Sequence, residues 1–172
     1  MKIFLTILLA AGFSVAWADT ETGPELKVDL AMVLSTGEVV PVDGMTSAGQ
    51  PDEAALGVFA KQGYTTVIDL RTEGEDRGMD EADVVEGLGM KYISLPIGRE
   101  DINFDKARIL DLLILEADGP VLVHCGSGNR VGALLALSKS TAGADDEAAL
   151  EYGRQGGMTS LESTVKEALS EQ

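Results

Sequence analysis

Cysteine is almost absent from this 172-residue chain. Cys125 stands alone, so no internal disulfide can form. Exported proteins in oxidising compartments pair their cysteines or avoid them, which makes a lone one either an inert buried residue or a reactive thiol. Histidine also occurs once, as His124, which leaves no Cys/His set able to enclose a metal ion, and neither metal nor cofactor is expected. Positive charge is scarce: 13 Lys and Arg face 29 Asp and Glu, for a formal net charge of −16. Such a surface repels nucleic acid and anionic membrane. Any anion site must be a local positive feature in a negative field. Beyond the N-terminus no apolar run approaches the about 20 residues a membrane-spanning helix needs. No internal repeat or low-complexity linker divides the chain.

What is present begins with Met1-Lys2, an apolar run from Ile3 to Ala11, and then Ala16-Trp17-Ala18-Asp19. One positive charge, a short apolar stretch and Ala-x-Ala form the pattern of a secretory signal peptide, so residues 1–18 are expected to be removed. The mature protein would start near Asp19, lie in the periplasm or outside the cell, and be more acidic by the loss of Lys2. Residues 19–45 read as a tail leading into a first strand or turn, and residues 46–172 as one domain.

Within that domain, apolar periodicity alternates between strand and helix. Gln50-Pro51-Asp52-Glu53 opens a helix with Pro at its first position, and Gly63 stops it. Strands are expected over 65–70 and 91–95, and helices over 80–88 and 105–116. In the 105–116 helix, Ala107, Ile109, Leu110, Leu113 and Ile114 are expected to face inward. Val121-Leu122-Val123 is a short buried strand, followed by a helix over 131–139 and two more near 145–154 and 160–170. This alternation predicts an α/β domain with a central, mostly parallel sheet flanked by helices. Sites in such sheets lie at the carboxyl ends of strands, where Cys125 falls.

The segment His124-Cys125-Gly126-Ser127-Gly128-Asn129-Arg130 joins that strand to a helix. Gly126 and Gly128 allow backbone conformations that turn successive N–H groups inward, and the helix adds its positive N-terminus. Arg130 offers a planar fork for two oxygens of a tetrahedral anion. Cys125 beneath this nest is expected to be an accessible thiolate at the bottom of a shallow pocket, a nucleophile aimed at a bound phosphoryl or sulfur centre. His124 is expected to orient the loop by donating hydrogen bonds from beneath it.

Val123-His124-Cys125 with the Gly-rich loop and Arg130 resembles the signature of the cysteine-dependent protein phosphatases of the dual-specificity and tyrosine-phosphatase-like type. A bacterial branch of phosphatase-like domains, some fused to beta-lactamase-like hydrolases of sulfide metabolism, is the closer resemblance. Ser47-Ala48-Gly49-Gln50-Pro51 and Thr66-Val67-Ile68-Asp69-Leu70-Arg71 extend it across residues 46 to 161. The resemblance implies a phosphatase-like fold and a phosphocysteine mechanism with Cys125 and Arg130 as catalytic residues. It also implies an Asp on the loop before the helix preceding the Cys strand as general acid. Within Glu100-Asp101-Ile102-Asn103-Phe104-Asp105 that residue is taken to be Asp101, because Asp105 looks like a helix N-terminal residue. Gly126, Ser127, Gly128, Asn129, His124 and Arg71 are expected to bind substrate. Arg71 and Arg99 follow strands near the expected mouth, where either orients substrate or balances Glu73, Glu75 or Glu100.

Two departures keep other functions open. Four residues separate Cys125 from Arg130, where phosphatases of this type usually have five; rhodanese-type sulfurtransferases place four there. Val131 stands where such phosphatases usually carry a Ser or Thr that assists the thiolate in leaving. A phosphorylated substrate, a sulfur-containing small anion passed through a Cys125 persulfide, and non-catalytic oxyanion binding are therefore all compatible with the loop.

Overall fold

The computed structural model describes residues 39–42 and 45–171. Residues 1–18, expected to be a signal peptide, and most of the 19–45 segment fall outside the described residues. Five strands form one sheet in the order β1-β2-β5-β3-β4. They are β1 (Val39–Val42), β2 (Met45–Ala48), β3 (Thr66–Asp69), β4 (Lys91–Ser94) and β5 (Val121–His124). β1 runs antiparallel to β2 at one edge, and the other neighbours are parallel. The sheet is the mostly parallel one expected, and β1 brings the end of the 19–45 segment into it.

Among the described residues, six helices cover the sheet: α1 (Glu53–Lys61), α2 (Glu81–Gly87), α3 (Phe104–Leu115), α4 (Asn129–Thr141), α5 (Asp146–Gln155) and α6 (Glu162–Ser170). A 3₁₀ turn, Arg99–Asp101, precedes α3. The period-2 alternation of the strands assigns their two faces. Val67 and Leu122 pack with Leu56 and Phe59 of α1 and Val85 of α2. Ile68, Val121 and Val123 pack with Leu110 of α3, Leu134 and Leu137 of α4, Leu150 of α5 and Val165 of α6. α4 is buried from Val131 through Leu137, so it is the central helix of its layer. Each large apolar side chain enclosed there contributes about 1.5–3 kcal/mol.

Three local expectations change. Pro51 precedes the helix rather than opening it: Asp52 is the N-cap, its carboxylate accepting from the Ala55 N–H at 2.8 Å. Ile109 is 41% exposed although Ala107 and Leu110 are buried. One residue from each neighbour along a helix is about 100° of rotation, so an apolar face centred on 107 and 110 turns 109 outward. Finally, α4 starts at Asn129, not Val131, which places Asn129 and Arg130 in its first turn.

Candidate functional site

β5 lies between β2 and β3 in the sheet, and His124 pairs in register with Ala48 and Asp69. The chain leaves the sheet here and turns directly into α4. The turn depends on Gly128, the helix N-cap, whose φ of +82° is left-handed and favours glycine. In that conformation the Gly128 N–H donates to Cys125 Sγ at 3.1 Å. The first N–H groups of α4 have no partner within the helix and supply the positive end of its dipole. The loop is anchored to the β2 end by Cys125 N–H to Ala48 O at 3.3 Å and Gln50 N–H to Gly126 O at 3.4 Å.

Cys125 is fully enclosed, whereas Gly126 and Ser127 are exposed above it. The expectation of an accessible sulfur at a pocket floor is therefore not met in this structure. A cavity of about 240 Å³ is lined by Gln50, Pro51, Asp52, Glu53, Arg77, Gly78 and Met79, and by no residue of the 125–130 loop.

Arg130 is held by a residue that the sequence reading placed elsewhere. Its Nη1 donates to Glu75 Oε1 at 2.6 Å and its Nη2 to Glu75 Oε2 at 2.5 Å, a two-point grip. Nη1 also donates to the Ile97 carbonyl at 3.0 Å. Thr72 N–H secures Glu75 Oε1 from the other side at 2.8 Å. The hydrogen bonds from Arg130, outweighing burial, lower the Glu75 carboxyl to about 2. Reciprocally, Glu75 and the neighbouring Cys125 sulfur raise the Arg130 guanidinium further above its ordinary value. A methyl group built on Gly126 would lie 3.5 Å from Glu75 Oε2, so this carboxylate sits against the loop itself.

Arg71 does not face the loop. Its side chain is fully buried, with Nε and Nη2 each 2.9 Å from an Asp69 oxygen, and it also bonds Glu81. The substrate-binding role expected for Arg71 gives way to a structural one, because a guanidinium held between two buried carboxylates has no route to the surface. His124 belongs to the same cluster. Its Nε2 lies 2.7 Å from Glu81 Oε1 and 3.8 Å from Asp69 Oδ1, but off the axis of a hydrogen bond, so both imidazole nitrogens lack a hydrogen-bond partner. His124 is fully buried among carboxylates, so the loop-orienting hydrogen bonds and the substrate contact expected of it are not made in this structure. Asp69, Glu81 and His124 bring ligand-type atoms within 4.8 Å of one another. Arg71 and Arg77 already answer the two carboxylates, so a cation there would compete with Arg71. The cluster ties the carboxyl ends of β3 and β5 to the first turn of α2.

Asp101 lies on the segment that follows Ile97, whose carbonyl touches Arg130. It is half-buried, and its Oδ2 accepts from the Gly98 N–H at 2.8 Å, closing the 3₁₀ turn. The structure gives it no direct contact with Cys125 or Arg130. Arg99 is exposed on the same turn.

The carboxylates of this region predict an acid-sensitive fold. Burial would raise Asp69, but Arg71, then His124 and Tyr92, together lower it to about 2. Groups depressed in the folded state stabilise it above their unfolded values of about 4, and that stabilisation is lost as pH falls through about 2. For Asp69 the loss is about 2–3 kcal/mol. The urea midpoint should therefore be level above pH 5 and fall between about pH 4 and 2, with part of the fall removed in Glu75→Gln. A midpoint unchanged across that interval would contradict the pairing.

Comparison with known proteins agrees with this geometry. Residues 40–142 match the model of the phosphatase-like domain of beta-lactamase hydrolase-like proteins. The chain belongs to that family. A beta-lactamase hydrolase-like protein of Agrobacterium fabrum is 29% identical over 119 residues, covering 66% of this chain and 28% of that protein. One from Xylella fastidiosa is 32% identical over 96 residues, covering 54% of this chain and 22% of its own length. The chain thus spans about a quarter of the curated relatives it matches. Among solved structures, a candidate phosphatase of Neisseria meningitidis superposes with a TM-score of 0.63 at 20% identity, covering 72% of this chain and 92% of that one. P. aeruginosa TpbA bound to phosphotyrosine gives 0.51 at 18% identity, covering 80% and 99%. At these identities the superpositions establish a phosphatase fold.

Proposed function

We propose that this chain is an exported cysteine-dependent phosphatase that hydrolyses phosphate monoesters through a phosphocysteine on Cys125. The observation that carries this is the seat of Cys125: a strand-end sulfur, bonded by the Gly128 N–H, at the N-terminus of α4 with Arg130 in the first helical turn. Membership of a phosphatase-like family and the phosphotyrosine bound by TpbA support a phosphorylated substrate.

In the first step the Cys125 thiolate attacks phosphorus, the P–O bond to the leaving group breaks, and Asp101 protonates the departing oxygen. Loop N–H groups and Arg130 stabilise the charge on the transferring group. In the second step water attacks the phosphocysteine, the S–P bond breaks, the thiolate returns and Asp101 regains its proton. Val131 is buried and offers no hydroxyl to the leaving sulfur, so the Gly128 N–H and the helix N-terminus take that part.

The four-residue spacing favours a second reading, a sulfurtransferase passing sulfur through a Cys125 persulfide. Intact-protein mass spectrometry after separate exposure to an aryl phosphate and to thiosulfate distinguishes the two. A phosphoryl adduct on Cys125 is expected, and a persulfide without any phosphoryl adduct would overturn the phosphatase reading. The same spectrum of protein recovered from outside the cytoplasm should show a chain starting at Asp19. Retention of residues 1–18 there would overturn the export reading.

A further inference from the structure

Asn129 occupies the first position of α4, directly between the N-cap Gly128 and Arg130. Gly128 caps the helix without a side chain, so nothing on the N-cap residue itself fastens the helix end. Asn129 makes the connection instead, to a segment about thirty residues away, the 156–161 stretch between α5 and α6. Its Oδ1 accepts from the Thr159 N–H at 2.8 Å and from the Leu161 N–H at 3.4 Å, and its Nδ2 donates to Ser160 Oγ at 2.8 Å. Both acceptor positions of the amide and one of its two donors are thereby used.

The same stretch is pinned at other points. Ser47 Oγ donates to the Gly156 carbonyl at 2.6 Å from the end of β2. Gly157, at φ +96°, lies so close that a methyl group on it would meet the Gly128 carbonyl oxygen at 3.3 Å. A methyl group on Gly132 would collide with the Met158 backbone nitrogen. The 156–161 stretch is therefore a wall pressed against the back of the loop, and Asn129 is the side chain that bonds the two together.

We propose that Asn129 is a positioning residue that holds the 125–130 loop in its anion-cradling shape through the 156–161 stretch, rather than a residue that contacts substrate. The expectation that Asn129 binds substrate is replaced accordingly. Loss of the tether lets Gly128 leave its left-handed conformation, which moves both the N–H bonded to Cys125 Sγ and the guanidinium of Arg130. The rate effect rests on the phosphatase reading above; the effect on loop order does not.

Two variants and two measurements test this. Asn129→Ala removes all three bonds. Ser160→Ala removes one of them and lies outside the residues assigned to the chemistry. Hydrogen exchange followed by mass spectrometry should show faster exchange of the 126–130 amides in Asn129→Ala, with a smaller change of the same sign in Ser160→Ala. Exchange in β3 and α3 should be unchanged. With an aryl phosphate, kcat should fall about 10–100-fold in Asn129→Ala, as for a displaced reacting group, with a lesser fall in Ser160→Ala. Raised KM at unchanged kcat in Asn129→Ala, with Ser160→Ala silent, would make Asn129 a substrate ligand and overturn the proposal. So would wild-type exchange at 126–130 in both variants. Should wild type cleave no phosphate ester, the phosphatase reading fails, while the exchange data still decide the tether.

Discussion

Cys125→Ser should lower aryl phosphate turnover by about 10⁴-fold or more, the scale seen when a covalent nucleophile is removed. It should also eliminate the phosphoryl adduct. Serine conserves the shape of the buried site, so the Gly128 N–H keeps an acceptor and the fold survives. What is lost is the sulfur nucleophile, because a serine hydroxyl attacks phosphorus far less readily without a base to activate it. Arg130→Lys should cost less but still about 10²–10³-fold, since a single ammonium cannot replace a planar fork. The structure gives a second reason: Arg130 bonds Glu75 with two nitrogens and the Ile97 carbonyl as well. Steady-state kinetics on protein with unchanged melting temperature checks both. Cys125→Ser retaining more than a trace of the wild-type rate would require another nucleophile, and the chain contains no other cysteine.

In Asp101→Asn, turnover of esters with poor leaving groups should fall by about 10²–10⁴-fold, the contribution of one general acid. Good leaving groups need little protonation, so the loss should shrink as leaving-group acidity rises. The structure makes this substitution clean. Asn retains an oxygen for the Gly98 N–H that Asp101 Oδ2 now holds, so the turn before α3 remains closed while the transferable proton is gone. Thiosulfate-to-cyanide transfer requires no such proton and should be unaffected. An equal loss for all leaving groups would remove Asp101 from the chemistry. Glu75, the carboxylate in contact with Arg130, would then be the next candidate, although a carboxyl held at about 2 makes a poor proton donor until that contact is broken.

Much of the site was legible because it is local. Strand, glycine turn and helix from Val121 to Thr141 follow one another without a break, and each is announced by its own residues: β-branched residues, then two glycines, then an apolar helical run. The parallel sheet followed from the alternation of strands and helices, and the position of Cys125 from the rule that sites gather at strand ends. The two additional residues at the start of α4 were not legible. Ser127, Gly128 and Asn129 are poor helix residues by propensity, and only the side-chain bonds of Asn129 to a distant segment favour a helix from there onward.

Partner choice among charges was the least legible feature. With 29 acidic residues in the chain, almost any arginine can be given a plausible carboxylate from sequence position alone. The fold places Glu75 on Arg130, 55 residues away, and commits Arg71 to Asp69 and Glu81 in the interior. Asn129 illustrates the same limit: beside an arginine in an anion loop it reads as a substrate ligand, until the packing of α5 and α6 shows its amide already bonded. The sequence by itself determined the class of fold and the strand-to-helix loop that carries Cys125 and Arg130, because backbone conformation and apolar period act over a few neighbouring residues. Only the tertiary structure decided which carboxylate faces which cation and that Cys125 is enclosed, because those depend on desolvation and contact between segments far apart in the chain.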